Sequence, residues 1–232
     1  MLHIDRSSLF LLGRELPLYT LLPIFGMMAA SVLNAALAAK RGVDPSRLFR
    51  LTLVIYFLFL LGQMLHEKLP QGMLLFLQPL GTAAVVIAFG IIGRLQKTDC
   101  RTMMDLGAVL VLVYAACVRL GCFFSGCCYG PAWGNGFSVI YGPGTNCPLQ
   151  GTELFPLQLV SAVILAVILL AAMGKYRKGK HILPEAILSV AVYYLHLWIS
   201  PATGKDGLCL TLGIAALLAA GCLMIMDYRK GT

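Results

Sequence analysis

Arg119 is the residue whose type and position point most directly to chemistry. It ends a long apolar run, and no acidic residue lies near it in the sequence. A charged side chain at such a place is a candidate functional group by default. A guanidinium holds a phosphate through two parallel hydrogen bonds, so we expect Arg119 to bind the phosphate of a phospholipid headgroup. The alternative is a cation that only anchors the run by reaching the interface.

The stretch that follows, residues 120–152, contains no Asp, Glu, Lys or Arg, but eight glycines and three prolines. Low charge with many aromatic residues argues against disorder. Glycines let a headgroup approach the backbone closely and offer it N–H groups. We therefore expect this loop to form the wall of a lipid-accessible site; an aromatic loop resting at the membrane interface is the alternative. The aromatic residues are Phe123, Phe124, Tyr129, Trp133, Phe137 and Tyr141.

Four of the eight cysteines lie in this loop: Cys122, Cys127, Cys128 and Cys147. Three readings stay open for them. Cys147 could form a disulfide with Cys127 or Cys128, the thiols could be free, or they could bind a metal. The spacing is unlike that of known zinc sites, so we expect no metal and no other cofactor.

Several further side chains could assist a reaction at Arg119. Tyr19, Tyr129 and Tyr141 could donate hydrogen bonds to a phosphate, although tyrosine at a membrane face is usually an anchor. A general base is harder to find. The candidates on the same side are His3, His66, His196 and Glu153, and each has an ordinary interfacial role as its alternative.

The composition determines which elements must position these residues. Of 232 residues, 59% are hydrophobic and only 12% are charged, which excludes a soluble enzyme, a disordered chain and a coiled coil. We predict an all-α integral membrane protein with one domain, residues 1–232, and a short interfacial helix at residues 7–16. Seven transmembrane helices are predicted at 18–39, 48–65, 73–93, 103–121, 155–174, 183–199 and 207–226.

The basic residues orient these spans. Thirteen of the 18 lysines and arginines fall in one set of alternate loops, around residues 40–50, 94–101, 175–180 and 229–230. Loops rich in Lys and Arg remain in the cytoplasm. The pattern predicts the N-terminus outside and the C-terminus inside, and it explains the net charge of +8 without nucleic acid.

The stretch Arg119-Leu-Gly-Cys-Phe-Phe-Ser-Gly-Cys-Cys-Tyr-Gly130 resembles the signature of the bacterial prolipoprotein diacylglyceryl transferases, Gly-Arg-hydrophobic-Gly-Asn-Phe-x-Asn-Gly-Glu-x-x-Gly. Tyr19 and Asp105 also fall near residues that the family carries. Phe155-Pro-Leu-Gln-Leu159 resembles its His-Pro-x-Gln-Leu-Tyr-Glu motif. The positions that match the signature in register are Arg119, Gly121, Phe123, Gly126 and Gly130.

The departures from the family concern polar residues. Cys122 stands where the signature has Asn, and Cys127 stands where it has Glu. Phe155 and Ser161 replace the His and the Glu of the downstream motif. The third span lacks the family's His, and the sixth lacks its Arg and Glu. Asp105 is too far along its helix to pair with Arg119, so we expect it to cap that helix or to pair with Arg101.

The resemblance implies seven spans in the bacterial cytoplasmic membrane. It implies transfer of a diacylglyceryl group from phosphatidylglycerol to the lipobox cysteine thiol of a prolipoprotein signal peptide. Arg119 and Tyr19 would be catalytic. The substrate would be bound by Gly121, Cys122, Phe123, Gly126, Cys127, Gly130 and Gln158. The alternative is a catalytically reduced homologue that binds membrane lipid, or that binds a thiol or a metal.

Overall fold

The computed structural model describes residues 1–11, 14–46, 48–55, 71–202 and 207–230. Two short strands, β1 (Leu2–Arg6) and β2 (Ser8–Leu11), precede β3 (Arg14–Pro17). A fourth strand, β4 (Val139–Gly144), lies in the middle of the chain, and residues 48–55 are helical. The helices are α1 (Leu18–Ala39), α2 (Gln71–Leu95), α3 (Cys100–Ser125), α4 (Leu157–Arg177), α5 (Leu183–Ile199) and α6 (Gly207–Lys230).

The helices match the predicted spans closely. In the described part of the chain, four are long and apolar enough to cross a membrane: α1, α3, α4 and residues 207–226 of α6. Two shorter apolar helices, Pro79–Leu95 and Leu183–Ile199, correspond to the third and sixth predicted spans. The second predicted span is helical over residues 48–55, and its remainder lies outside the described residues.

Helix α3 forms the centre of the bundle, because it packs against α1, α2, α4 and α5. Its residues are buried around its whole circumference from Asp105 to Val113. Asp99 caps its N-terminus by accepting hydrogen bonds from the backbone N–H groups of Arg101 and Thr102. Gly126 ends it in the left-handed conformation with φ 76°. The helix that carries Arg119 is therefore held in place by its contacts with four neighbouring helices.

The predicted interfacial helix at residues 7–16 is wrong. Strands β2 and β3 form an antiparallel hairpin there, with Ser8 opposite Pro17 and Leu11 opposite Arg14. A helix this short is only marginally stable, whereas the paired strands satisfy each other's backbone groups.

The stretch after α3 also contains regular structure. Residues 120–125, predicted as loop, extend α3, and β4 pairs in parallel with β1. Leu154 pairs with Val139, on β4. Strands β1 and β4 and the loop around them form a cap over the end of the bundle that carries Arg119.

The opposite end of the bundle is fastened by ionic contacts. Asp105 accepts hydrogen bonds from His181 Nδ1 and from the Ile182 backbone N–H, both at 2.9 Å. The expectation that Asp105 caps α3 or pairs with Arg101 is therefore wrong, since Asp99 is the capping residue. The Asp105 side chain points away from the helix axis to the loop before α5.

Candidate functional site

Arg119 is buried, with 3% of its surface exposed. Its Cζ atom lies 5.1 Å from the centre of the Tyr193 ring, in a cation–π contact. Its Nη2 atom has no hydrogen-bond partner, and no carboxylate pairs with Arg119 in the described part of the chain. A buried guanidinium without an internal anion is suited to an anion that arrives from outside.

Tyr19 lies beside Arg119 because α1 and α3 approach each other closely. A Cβ atom on Gly121 would lie 3.1 Å from the Tyr19 Cα atom. The Tyr19 side chain interacts electrostatically with Arg119, Cys122 and Cys127. The structure thus brings together five of the residues predicted to form the site.

The turn after α3 has an unusual backbone. Cys128 has a positive φ of 51°, which Lys97 alone shares among the described non-glycine residues. Such a conformation costs energy and persists only where the surroundings impose it. In the described residues no acceptor is found for the backbone N–H groups of Cys127 and Cys128. Unpaired N–H groups in a turn of this kind form a concave anion site.

Three consecutive carbonyl groups of this turn accept hydrogen bonds from side chains of α4, of α5 and of the residue that follows α5. The Gln158 amide donates to the Cys127 oxygen at 2.7 Å, His196 to the Cys128 oxygen at 3.2 Å, and the Ser200 hydroxyl to the Tyr129 oxygen at 2.8 Å. These bonds fix the direction of the turn. Gln158 therefore binds the backbone of the turn and links it to α4.

The hydrogen bonds of His196 determine its tautomer. Nε2 faces the Cys128 carbonyl oxygen, which can only accept, so Nε2 carries the hydrogen. Nδ1 lies 2.7 Å from the Ser161 hydroxyl and accepts from it. His196 is also 1% exposed. Because both ring nitrogens are engaged, His196 is a poor candidate for the general base.

The other candidate bases are not at the turn. Glu153 bonds the Ser138 hydroxyl at 3.2 Å, and His3 lies on β1, paired with Ile140. His66 lies outside the described residues.

The thiols of Cys122, Cys127 and Cys128 interact with one another, and the Cys127 thiol donates to the Cys122 carbonyl oxygen at 3.9 Å. Thiol donors from Cys122 and Cys127 lower the pKa of Cys128 well below its usual range, with further help from His196 and Arg119. The pKa of Cys127 is raised, because it lies against the other two sulfurs.

All eight cysteines are free thiols, so the disulfide between Cys147 and Cys127 or Cys128 is wrong. Cys147 is buried under Gly126 and Tyr141, and burial raises the pKa of its thiol. The Cys127 thiol instead donates to the Cys122 carbonyl oxygen, at 3.9 Å. No group of three or more His, Cys, Asp or Glu residues that could hold a metal ion occurs within the described ranges.

The remaining predicted binding residues pack against protein. Phe123 is buried in a cluster with Val139, Tyr141 and Leu154. A Cβ atom on Gly130 would overlap the Phe155 carbonyl oxygen. Gly126 likewise lies against Cys147. These residues shape the turn from behind.

Two cavities lie near the opposite end of the bundle. One, of about 490 Å³, is lined by Arg50, Ile92 and neighbouring residues. The other, of about 220 Å³, lies between α2, Met104 of α3 and the start of α5. Neither is lined by Arg119.

The sequence analysis named His196 only as a candidate general base, and it did not single out Tyr193 or Cys128 as binding residues. The sixth span lacks the family's Arg and Glu, so the resemblance assigned none of its residues to the site. Tyr193 and His196 are three residues apart and so share one face of α5. That spacing of two polar aromatic side chains was the available signal.

The comparisons with known proteins agree on one family. Two relatives from strains of Dehalococcoides mccartyi, named phosphatidylglycerol–prolipoprotein diacylglyceryl transferase, are 34% identical over 84 residues. That match covers 36% of this chain and 32% of the relative, about a third of its length. A Clostridium perfringens protein, named phosphatidylglycerol–prolipoprotein diacylglyceryl transferase 2, is 24% identical over 225 residues, which is 88% of either chain. The family model for prolipoprotein diacylglyceryl transferase matches residues 80–221, so the chain belongs to that family.

Proposed function

We propose that this protein transfers a diacylglyceryl group from phosphatidylglycerol to the lipobox cysteine thiol of a prolipoprotein. The observation that carries the proposal is Arg119, a buried cation with a free Nη2 atom beside the turn in which the N–H groups of Cys127 and Cys128 have no acceptor among the described residues. The family membership and the names of the relatives support it.

The reaction needs a phosphate leaving group and a sulfur nucleophile held in line. Arg119 would bind the phosphate, and the N–H groups of Cys127 and Cys128 would share its charge. Tyr19 would donate a hydrogen bond to a phosphate oxygen. The acceptor sulfur would attack the glyceryl carbon, the carbon–oxygen bond would break, and glycerol phosphate would leave.

The proposed setting is the bacterial cytoplasmic membrane. One membrane-embedded domain, residues 1–232, would cross it seven times with the N-terminus outside, as the basic residues favour. The substrate would then enter from the outer leaflet, where signal peptides of exported prolipoproteins expose their lipobox.

A direct assay tests the proposal. Purified protein in detergent is incubated with labelled phosphatidylglycerol and a lipobox peptide, and the lipidated peptide is measured. We expect transfer by the wild type and loss of transfer in Arg119→Ala. Growth of a strain that lacks its own transferase, with this protein as its replacement, is the corresponding test in cells.

The second candidate is a lipid-binding homologue without transfer. It is favoured by the replacement of polar family residues at Cys122, Cys127 and Phe155. In the same assay it would bind labelled phosphatidylglycerol in an Arg119-dependent way and form no lipidated peptide.

A further inference from the structure

Helix α5 places two polar aromatic side chains against different parts of the site. Tyr193 lies against the Arg119 guanidinium, and His196, three residues further along the same face, bonds the Cys128 carbonyl oxygen at 3.2 Å. The proposed chemistry uses Arg119 and the N–H groups of the turn, but it gives His196 no part. A histidine buried in an apolar bundle costs free energy unless its polar atoms are bonded, so the partners of its two nitrogens indicate what it does.

Both ring nitrogens of His196 serve to hold the turn. The hydrogen on Nε2 is directed to the Cys128 carbonyl oxygen, and the Ser161 hydroxyl donates to Nδ1 at 2.7 Å. The bond from Ser161 keeps Nδ1 free of hydrogen and stops the ring from turning over, so the donor stays on the side of the turn. One chain of hydrogen bonds therefore links α4, α5 and the turn.

The backbone at Cys128 needs this support. Its φ of 51° is costly for a residue with a side chain and persists only where the surroundings impose it. The peptide plane before the Cys128 Cα atom is held by Gln158, which bonds the Cys127 oxygen at 2.7 Å, and the plane after it is held by His196. Because φ and ψ set the angle between these two planes, the two bonds together fix the conformation. Without the bond from His196, the second plane could rotate to relieve the strain, and the N–H groups of the turn would change direction.

We propose that His196 is a positioning residue for transfer, which holds Cys128 in the left-handed conformation and so keeps the N–H groups of the turn in place for the phosphate. This inference rests on the proposed function. The phosphate diester of the donor lipid carries one negative charge, and the departing glycerol phosphate gains a second as the carbon–oxygen bond breaks. Donors that are already in place therefore stabilise the transition state more than the bound lipid. Loss of His196 should lower kcat, whereas binding of phosphatidylglycerol should depend mainly on Arg119.

Two amide replacements separate the roles of the two ring nitrogens. In His196→Gln the amide nitrogen falls near the position of Nε2 and can still donate to the Cys128 oxygen. In His196→Asn the shorter amide reaches only the position of Nδ1, so it keeps a partner for Ser161 and leaves the turn unsupported. Transfer from labelled phosphatidylglycerol to a lipobox peptide is measured for both. We expect His196→Asn to lose at least about tenfold in kcat with KM changed by less than about threefold, and His196→Gln to keep both values within about threefold of the wild type.

A matched pair of serines gives a second test with a smaller change. Ser161 and Ser189 are both buried in helices, but Ser161 bonds His196, whereas Ser189 donates to the Ala186 carbonyl oxygen of its own helix. Ser161→Ala frees the His196 ring and should lower kcat at least about threefold, the effect of one hydrogen bond. Ser189→Ala should transfer as the wild type does.

The outcomes separate the possible failures. Binding of labelled phosphatidylglycerol and the melting temperature in detergent show whether each variant is folded. Equal losses in His196→Gln and His196→Asn, a loss confined to KM, or no loss in His196→Asn would overturn the positioning role while leaving the transferase intact. If both His196 variants unfold, the serine pair decides, and equal activity of Ser161→Ala and Ser189→Ala would overturn the role. A wild type that lipidates no peptide would overturn the proposed function and this inference with it.

Discussion

Arg119 combines burial, a stacking partner and an unpaired nitrogen. The guanidinium carbon lies over the Tyr193 ring, and the Nη2 atom remains available to a phosphate oxygen. A lysine ammonium could supply charge at this place, but it has neither the planar face nor the paired donors. Replacing this arginine with lysine therefore tests whether the site needs the planar guanidinium or only a positive charge.

We expect Arg119→Lys to lower kcat/KM for transfer at least tenfold, which corresponds to the loss of about 1.4 kcal/mol of transition-state stabilisation. The kinetics of lipidated-peptide formation measure this loss. Arg101→Lys, at the other end of α3, keeps the charge at an exposed position and should leave kcat/KM unchanged. Equal rates for Arg119→Lys and the wild type would show that point charge alone suffices.

The sequence predicts some residues of the site better than others. Arg119, Gly121 and Cys122 follow one another in a recognisable signature. Tyr19 could be placed because it begins the first span. The backbone conformation of Cys128 could not be predicted, since it combines a positive φ with a hydrogen bond from His196, which lies 68 residues away. Contacts of that kind arise only from tertiary packing.

At the scale of elements, the two ends of α3 position the site. Asp99 fixes where the helix begins, and Gly126 fixes where it ends. Hydrophobic runs bounded by charge or Gly predicted the helices well, because each run must satisfy its backbone within the segment. The β hairpin and the β1–β4 pairing escaped prediction. Strand pairing between residues 2–6 and 139–144 leaves no local signal in the sequence.

We expect Asp99→Ala to lower the free energy of unfolding by about 1 kcal/mol through loss of the N-cap. The hydrogen bond from the Thr102 hydroxyl is the largest cause that lowers the pKa of Asp99. A carboxyl with a lowered folded pKa stabilises above its unfolded pKa, about 3.9, and loses that effect as the pH falls through the folded value.

Thermal unfolding in detergent measures this effect. The melting temperature of Asp99→Ala should lie below that of the wild type at neutral pH, and the gap should close as the pH falls below about 4. A gap that persists unchanged in acid would contradict the assignment of the stabilisation to the ionised cap.

Two glycines of the cap region offer a matched pair of substitutions. A methyl group on Gly130 would overlap the Phe155 carbonyl oxygen, whereas one on Gly134 would meet nothing within 4 Å. We expect Gly130→Ala to displace the turn and to reduce transfer by at least tenfold, since misplaced groups lose catalysis steeply. Gly134→Ala should transfer as the wild type does. Similar activity in the two variants would show that the turn tolerates movement.

For the whole molecule, the charge asymmetry predicts which face meets the cytoplasm. The cap around Gly134 should lie outside, and the Lys-rich segment around Gly179 inside. Both glycines border open space, so a short protease-recognition sequence can be inserted at either. External protease should cleave the Gly134 insertion in spheroplasts and the Gly179 insertion only in inverted vesicles. The reverse pattern would mean that the orientation is inverted.

The parallel pairing of β1 with β4 joins segments separated by about 137 residues, as between Leu2 and Val139. Contacts so distant in sequence form late, because a long loop must close first. The earliest residues to leave the ribosome must therefore wait until the middle of the polypeptide joins them. The cap over Arg119 is complete only after β4, which follows the central helix, has been synthesised, so a half-synthesised chain still lacks it.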